Sequence, residues 1–473
     1  MSSLSHQHSQ GVRRLSGPHV TAAALLWGLG VPAAAAADRP APDLEAGRAA
    51  YQASCARCHG AAGQADGPDA KRFYPRPRDL TRGVYKFRST VSGTPPTDDD
   101  LFETIARGLP GSNMPDWPHL DEATRWHVVE YLKSLAPIFQ DTAAQPVEVA
   151  SDPGVHRADL VKGRVLYEQM GCAACHGAQG RANGTSAAGL VDDWGMPMRP
   201  ANLTQGWNYR GWPKPRDIML RLLTGIDGAG MPSYAGAISP QDAWHLAYYV
   251  ASLQEPAAWH AIIDAPVVHG TLPTTPNDPQ WVHAAPSDLR VRNAVDADGA
   301  WAQPPTVTAV RVQALATHDA VAFRLTWDDP VENREDPADR IALVLQPEGV
   351  RGDVVSLQLW PASGSPPLDF LRWSPAQGAR EVVAYDYDAA QDAASRAVPL
   401  TSQGIYADGR WTLVFQRPLV QPDVDAARAI QPGALTALAV AVWEGSNPQA
   451  RAVSSWVELA IEAPAASPAR HSP

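Results

Sequence analysis

Cys55-Ala56-Arg57-Cys58-His59 places two thiols two residues apart, with an imidazole directly after the second. That arrangement suits covalent attachment of haem. The thiols add across two vinyl groups of a porphyrin, and the next residue is carried beneath the iron as its proximal ligand. The same pattern returns as Cys172-Ala173-Ala174-Cys175-His176. These four are the chain's only cysteines, so no thiol is left for a disulfide, a zinc site or a nucleophile. The expected cofactors are therefore two covalent haem c groups, bound through Cys55, Cys58, Cys172 and Cys175, with His59 and His176 on the metals.

A second axial ligand can be sought by register. Cys172, Gly225 and Met231 each lie 117 positions after Cys55, Gly108 and Met114. Elsewhere the offset slips by one: Trp126-His127 recurs at 118 as Trp244-His245, and Gly47-Arg48 at 116 as Gly163-Arg164. Agreement over roughly a hundred residues marks an internal duplication. A thioether from a loop beyond the attachment motif raises the reduction potential by favouring ferrous iron. Met114 is the first copy's only methionine after the N-terminal segment, and Met231 shares its Gly-x-x-Met-Pro setting. The second copy also offers Met170, Met196, Met198 and Met219; Met196, in Met196-Pro197, is a rival, whereas Met170 and Met219 read as helix core.

The elements that must hold these residues also repeat. In the first copy, apolar spacing predicts a helix over Leu44 to Tyr51 that runs into the attachment motif. A second helix is expected over Asp98 to Ala106, then the Gly111–Pro115 loop, then a third helix over Glu122 to Leu135. On the third helix of each copy, Trp126 and Trp244 read as packing, and His127 and His245 as surface or capping groups. Tyr85, Arg88, Tyr209 and Arg210 are candidates for haem propionates, with an exposed loop as the alternative.

Composition bounds the rest. A chain of 473 residues suggests roughly three domains. Its net charge of −11 argues against nucleic acid and suits a partner with a basic docking face. Lysine stops at Lys214 and methionine at Met231, separating a front part able to ligate haem from a rear part lacking two common ligands. Arg13 and Arg14 precede the apolar run Val20 to Trp27, and Ala35-Ala36-Ala37 offers a cleavage site. Residues 1–37 thus read as an export signal, with an uncleaved anchor as the alternative. The adjacent arginines hint at twin-arginine export. No later stretch is apolar enough to span a bilayer, so the expected location is the periplasm.

On these motifs, residues from about 41 to 255 resemble two tandem class I cytochrome c domains, similar in layout to the dihaem cytochrome c4 type. The resemblance implies two all-α domains, 38–140 and 155–255, whose haems are low-spin, closed on both axial sides, and pass single electrons.

Pro256 to Pro286 is proline-rich and reads as a linker, with 256–280 as the spacer proper. Alternation then begins: Val321, Phe323, Leu325 and Trp327 face one way, and Ala322, Arg324 and Thr326 the other. Further strands are expected over Val307–Ala314, Ile341–Leu345, Val354–Trp360, Trp411–Phe415, Leu435–Trp443 and Trp456–Ile461. Such short, irregularly connected strands predict an all-β sandwich over 281–462, followed by a disordered tail, 463–473.

This rear part resembles the ethylbenzene-dehydrogenase-related haem-binding domain, the γ-subunit type of dimethyl-sulfoxide-reductase-family molybdoenzymes. The stretches carrying the likeness are Asp278 to Trp281, Val321 to Asp329, Asp339 to Leu343, Leu357 to Trp360, Asp408 to Trp411 and Ala441 to Ser446. That family commonly holds a b-type haem between a methionine and a lysine, and this part has neither. Where the methionine would stand, the chain reads Pro347-Glu348-Gly349-Val350-Arg351-Gly352. A haem b is not expected here, and His283 and His318 are the side chains that could replace the missing ligands.

The expected function is single-electron transfer, not catalysis. The protein would be the electron-transfer subunit or partner of a periplasmic molybdopterin/iron-sulfur oxidoreductase, exchanging with a second redox carrier. Two alternatives are a dihaem peroxidase-like enzyme, which needs a displaceable ligand, and a shuttle whose sandwich grips a ligand through tryptophans such as Trp301, Trp360, Trp373 and Trp443. Haem staining of a denaturing gel, with pyridine haemochrome quantitation, is expected to give two covalent haems per chain and no extractable haem. Stoichiometric extractable haem would show that the rear part binds a third group.

Overall fold

In the computed structural model the described residues are 39–294, 306–346, 367–384, 395–396, 400–420 and 429–463. Pro42–Pro473 forms one unit, and everything below concerns it. The expected export signal, the strand over Val354–Trp360, Trp301, the 347–352 stretch and the tail from 464 onward lie outside the described residues.

Helix starts in the front part are set by short polar caps. Asp43 accepts from the Ala46 N–H to open α1 (Leu44–Ser54), and α2 (Ala56–His59) follows on the attachment motif. Thr97 and Asp100 form a reciprocal capping box at α3 (Asp98–Arg107), and Asp121 caps α4 (Glu122–Ser134); α5 is one turn, Ile138–Asp141. The second copy repeats the order. Asp159 caps α6 (Leu160–Gln169), α7 is Cys172–His176, α8 (Pro215–Thr224) has proline in its first turn, and Ser239 caps α9 (Pro240–Ser252). The expected sequence of helix, attachment motif, helix, methionine loop and helix is present in both copies.

Each copy closes by packing its first helix against its last long one, α1 on α4 and α6 on α9. A Cβ on Gly47 would lie 2.0 Å from the His127 carbonyl oxygen, and one on Gly163 would lie 2.3 Å from that of His245. The histidines have the expected capping role: His127 Nδ1 accepts from the Asp43 N–H (3.2 Å) and His245 Nδ1 from that of Asp159 (3.0 Å). Around the first crossing pack Tyr51, Leu101, Ile105, Val128, Val129 and Leu132. Trp244 is buried in the second core, with its indole N–H on the Ala150 carbonyl, and Trp126 stacks on Phe102.

Strands make up the rest: β1 (Ile262–Ala265), β2 (Ser287–Asn293), β3 (Ala309–Ala316), β4 (Ala320–Asp328), β5 (Arg340–Leu345), β6 (Leu368–Ser374) and β7 (Gly378–Ala384) come first. They are followed by β8 (Ser395–Arg396), β9 (Thr401–Ala407), β10 (Arg410–Pro418), β11 (Leu435–Trp443), β12 (Arg451–Ser454) and β13 (Val457–Ile461). Among the described residues they join in one path, β8-β7-β6-β5-β11-β12-β2-β3-β4-β10-β9, with β1 parallel to β13 and β13 antiparallel to β11. Sequence patterning predicts two separate sheets, but β2 turns the corner between them. Its Ser287–Arg290 half pairs with β3, and its Val291–Asn293 half with β12. At the far side β7 approaches β9, and a Cβ on Gly404 of β9 would lie 2.4 Å from the Trp373 ring of β6, so the domain is nearly barrel-shaped.

Val321, Phe323, Leu325 and Trp327 point into this interior as their alternation requires. The stretch read as a spacer is not free chain. Ile263 and Ala265 are buried on β1, and Trp281 is buried with its indole N–H on the Thr275 carbonyl. The short Ile-Ile-Asp-Ala run is too brief to stand out among its prolines. His283 and His318 are both exposed. Among the described residues, no helix is long and apolar enough to cross a membrane.

Gly47→Ala and Gly163→Ala are each expected to cost about 1–3 kcal/mol, because a methyl against a backbone carbonyl must push the crossing helices apart. Chemical denaturation of the full-length haem protein measures this, and an unchanged midpoint would show that the crossings are looser than the geometry requires.

Candidate haem centres

The histidine of each attachment motif is oriented by a carbonyl. His59 Nδ1 lies 2.8 Å from the Arg78 carbonyl oxygen, and His176 Nδ1 lies 2.8 Å from that of Ala201. A carbonyl can only accept, so the ring proton resides on Nδ1 and the Nε2 lone pair is free for a metal. Burial holds both imidazoles below their ordinary pKa, opposed in each case by the carbonyl bond; the Arg78 guanidinium adds to the lowering at His59. Both rings are thus neutral at pH 7, as a ligand must be.

The turns carrying these residues share a tyrosine anchor. Tyr51 donates to the Gly60 carbonyl and Tyr167 to that of Gly177, both at 2.7 Å. Burial pushes the Cys55 thiol up to about 12 and the Cys172 thiol to about 11, so neither is an ionised nucleophile at neutral pH. The methionine loops match as well. The Leu109 N–H meets the Met114 carbonyl at 2.9 Å, and the Ile226 N–H meets that of Met231 at 3.0 Å. Gly108 (φ 60°) and Gly225 (φ 64°) start these turns, where a Cβ would strike the backbone N–H of Asp116 and of Ser233.

Of the other methionines, Met198 reaches the Met231 loop, its Cε 2.9 Å from where a Cβ on Gly230 would lie, and the rest sit elsewhere. Met219 is fully buried in the second core, and Met170 ends α6 half-buried. Met196 is held in a turn by Asp192, beside Pro197, whose carbonyl accepts from Tyr74 of the first copy. That places it in the seam between copies.

The seam corrects the exposed-loop alternative for the four propionate candidates, since none of them is exposed. Arg88 is buried and pairs with Asp227 of the second copy at 2.7 Å. Tyr209 donates to the Leu203 carbonyl, and Arg210 reaches the Gly111 carbonyl at 3.4 Å. Tyr85 Oη, Trp117 Nε1, Arg125 Nε and Trp194 Nε1 are buried without a protein partner. Burial lowers Arg78 to about 10 and Lys86 to about 8, and also lowers Arg210; Arg78 lies 3.9 Å over the Trp194 ring.

Buried donors without acceptors, beside cations whose burial disfavours their charge, are what the carboxylates of a porphyrin would satisfy. The residues present therefore fit haem. Sequence reasoning missed Arg78 and Ala201, because a backbone carbonyl leaves no residue-type signal. The Tyr51 and Tyr167 hydroxyls were findable, since they share the 116-residue offset of Gly47 and Gly163.

Comparison with known proteins agrees with this geometry. The family described as cytochrome c oxidase, cbb3-type, subunit III matches residues 42–132, and the family described as cytochrome c matches 160–254. The cbb3-type cytochrome c oxidase subunit CcoP of Azospirillum sp. (strain B510) is 28% identical over 223 residues, covering 44% of this chain. That of Azospirillum brasilense is 27% identical over 216 residues, also covering 44%. The chain spans 62% of the length of each of these relatives. Among solved structures, a chain of the Kuenenia stuttgartiensis reducing HAO-like protein complex is 39% identical with a TM-score of 0.44, covering 46% of this chain and all of that one. The front part of this protein consists of two cytochrome c-type domains, and each binds haem c covalently.

Proposed function

We propose that the protein is a periplasmic dihaem electron relay whose axial ligands are His59 with Met114 and His176 with Met231. The observation that carries this reading is the twinned set of carbonyl-held imidazoles and matching methionine turns. Bound haem supplies a reversible one-electron change at iron; the chain's part is to bury it, fix both ligands and set the potential. Cys55, Cys58, Cys172 and Cys175 anchor the macrocycles, Arg78 and Ala201 orient the imidazoles, and the seam cations offset the carboxylates.

The partner we assign is an oxidoreductase assembly outside the cytoplasm. The curated relatives of the cytochrome c-type domains are named as oxidase subunits, and the rear domain's motifs resemble the γ subunits of molybdopterin enzymes, which makes such an enzyme the proposed donor or acceptor. A ligand-gripping role for the rear domain draws no support from Trp373 and Trp443, which are both only 5% exposed.

Optical and electron paramagnetic resonance spectra are expected to show both irons low-spin, with a sulfur-to-iron absorption band. A high-spin iron with a vacant position would replace the relay with a catalytic reading. Met114→Ala and Met231→Ala should each lower the potential of one centre and remove its share of that band. A Met231→Ala protein with an unchanged spectrum would transfer the role to Met196.

A further inference from the structure

The two copies agree inside and differ in what grips the loop behind the proximal histidine. In the first copy Asp79 follows Arg78, and its Oδ1 accepts from Thr81 N–H (3.0 Å) and Oγ1 (2.6 Å). In the second, Asn202 follows Ala201, and its Oδ1 accepts from Thr204 N–H (3.0 Å) and Oγ1 (2.7 Å). The next residues also correspond, because Leu80 donates to the Gly63 carbonyl and Leu203 to that of Gly180. Asp79 and Asn202 are therefore equivalent, and the exchange of carboxylate for amide has a visible cause. Asn202 Nδ2 donates at 2.7 Å to Asp328 Oδ2, at the end of β4. A second carboxylate there would face the first.

Asp328 is 7% exposed and well supplied with donors. Besides Asn202 it accepts from Gln205 Nε2 at 3.2 Å and Arg410 Nε at 2.6 Å, and Thr204 Oγ1 lies 3.3 Å away. Arg410 also binds both oxygens of Glu255 at 3.0 Å. The other end of the same loop is tied too. Arg199 pairs with buried Glu444 at 3.1 Å, and Gln205 Oε1 accepts from Thr308. Residues 199–205, with the Ala201 carbonyl among them, are thus held by the sheet domain at both ends.

We propose that the sheet domain positions the second haem's proximal histidine, with Asp328 fixing through Asn202 the carbonyl to which His176 donates. This inference rests on the assignment of His176 as an axial ligand. An acceptor held rigidly on Nδ1–H makes the imidazole a stronger donor and favours ferric iron. Among the described residues, Asp79 accepts hydrogen bonds only from Thr81 of its own turn, with no contact from the sheet domain. The sheet domain therefore sets the two centres apart in potential, and Asp328 is a positioning residue with no contact to the macrocycle required.

The test is a redox titration of the full-length holoprotein carrying Asn202→Ala, a neutral exchange. The expected result is an upward shift in the midpoint of one centre, the one that Met231→Ala perturbs, with the other unmoved. Asp328→Asn should shift the same centre in the same direction, and it serves as the test if Asn202→Ala loses its haem. Midpoints unchanged in both variants, or both centres displaced equally, would overturn the proposal while leaving the ligand assignments intact. If instead Met231→Ala perturbed neither centre, the distal role would pass to Met196, whose variant would then identify the centre; a His176→Ala protein with both centres unchanged would remove the ligand assignment, and this inference with it.

Discussion

A carbonyl oxygen facing an imidazole N–H is the contact from which both centres are built. A histidine in a covalent attachment motif is placed roughly by its two cysteines, but its ring can still rotate and exchange tautomers. The Arg78 and Ala201 carbonyls, each 2.8 Å from Nδ1, remove that freedom. Everything nearby keeps those carbonyls still. Leu80 and Leu203 tie their loops back to Gly63 and Gly180, just past the attachment motifs, and Asp79 and Asn202 close the turns that follow.

The duplication conserves this inner frame and spends its variation on the outside. Asp227 accepts from Ser92 and Gly93 as well as from Arg88, and Trp212 donates to the Gly108 carbonyl at the start of the Met114 turn. The second copy thereby touches the first at both its proximal loop, through Trp194 on Arg78, and its methionine loop. The sheet domain in turn grips the second copy's proximal loop. Each domain borders the ligand-bearing loops of the one before it, so the order along the chain is also an order of contact. Such buried ion pairs add little net stability, because desolvation offsets their attraction. What they supply here is a fixed arrangement.

Residue type and spacing alone determined the attachment motifs, the duplication, the Met114 and Met231 turns and the helix order, because covalent chemistry and helical periodicity are local. They also determined that β4 would alternate, since its inward row Val321, Phe323, Leu325 and Trp327 is uninterrupted. Where burial is two-sided the pattern vanished: β6 is buried along its whole length, including Asp369 and Arg372, and no alternation marks it. Short β1 hid among prolines, and the corner made by β2, which turns two expected sheets into one path, has no signature in the chain. Only the tertiary structure decided that Arg88 would serve the seam, that His127 and His245 would receive an N–H from the caps of the first helices, and that Asp328 would meet Asn202 from 126 residues away. These are pairings between distant segments, and a sequence specifies them only through the packing that brings the segments together.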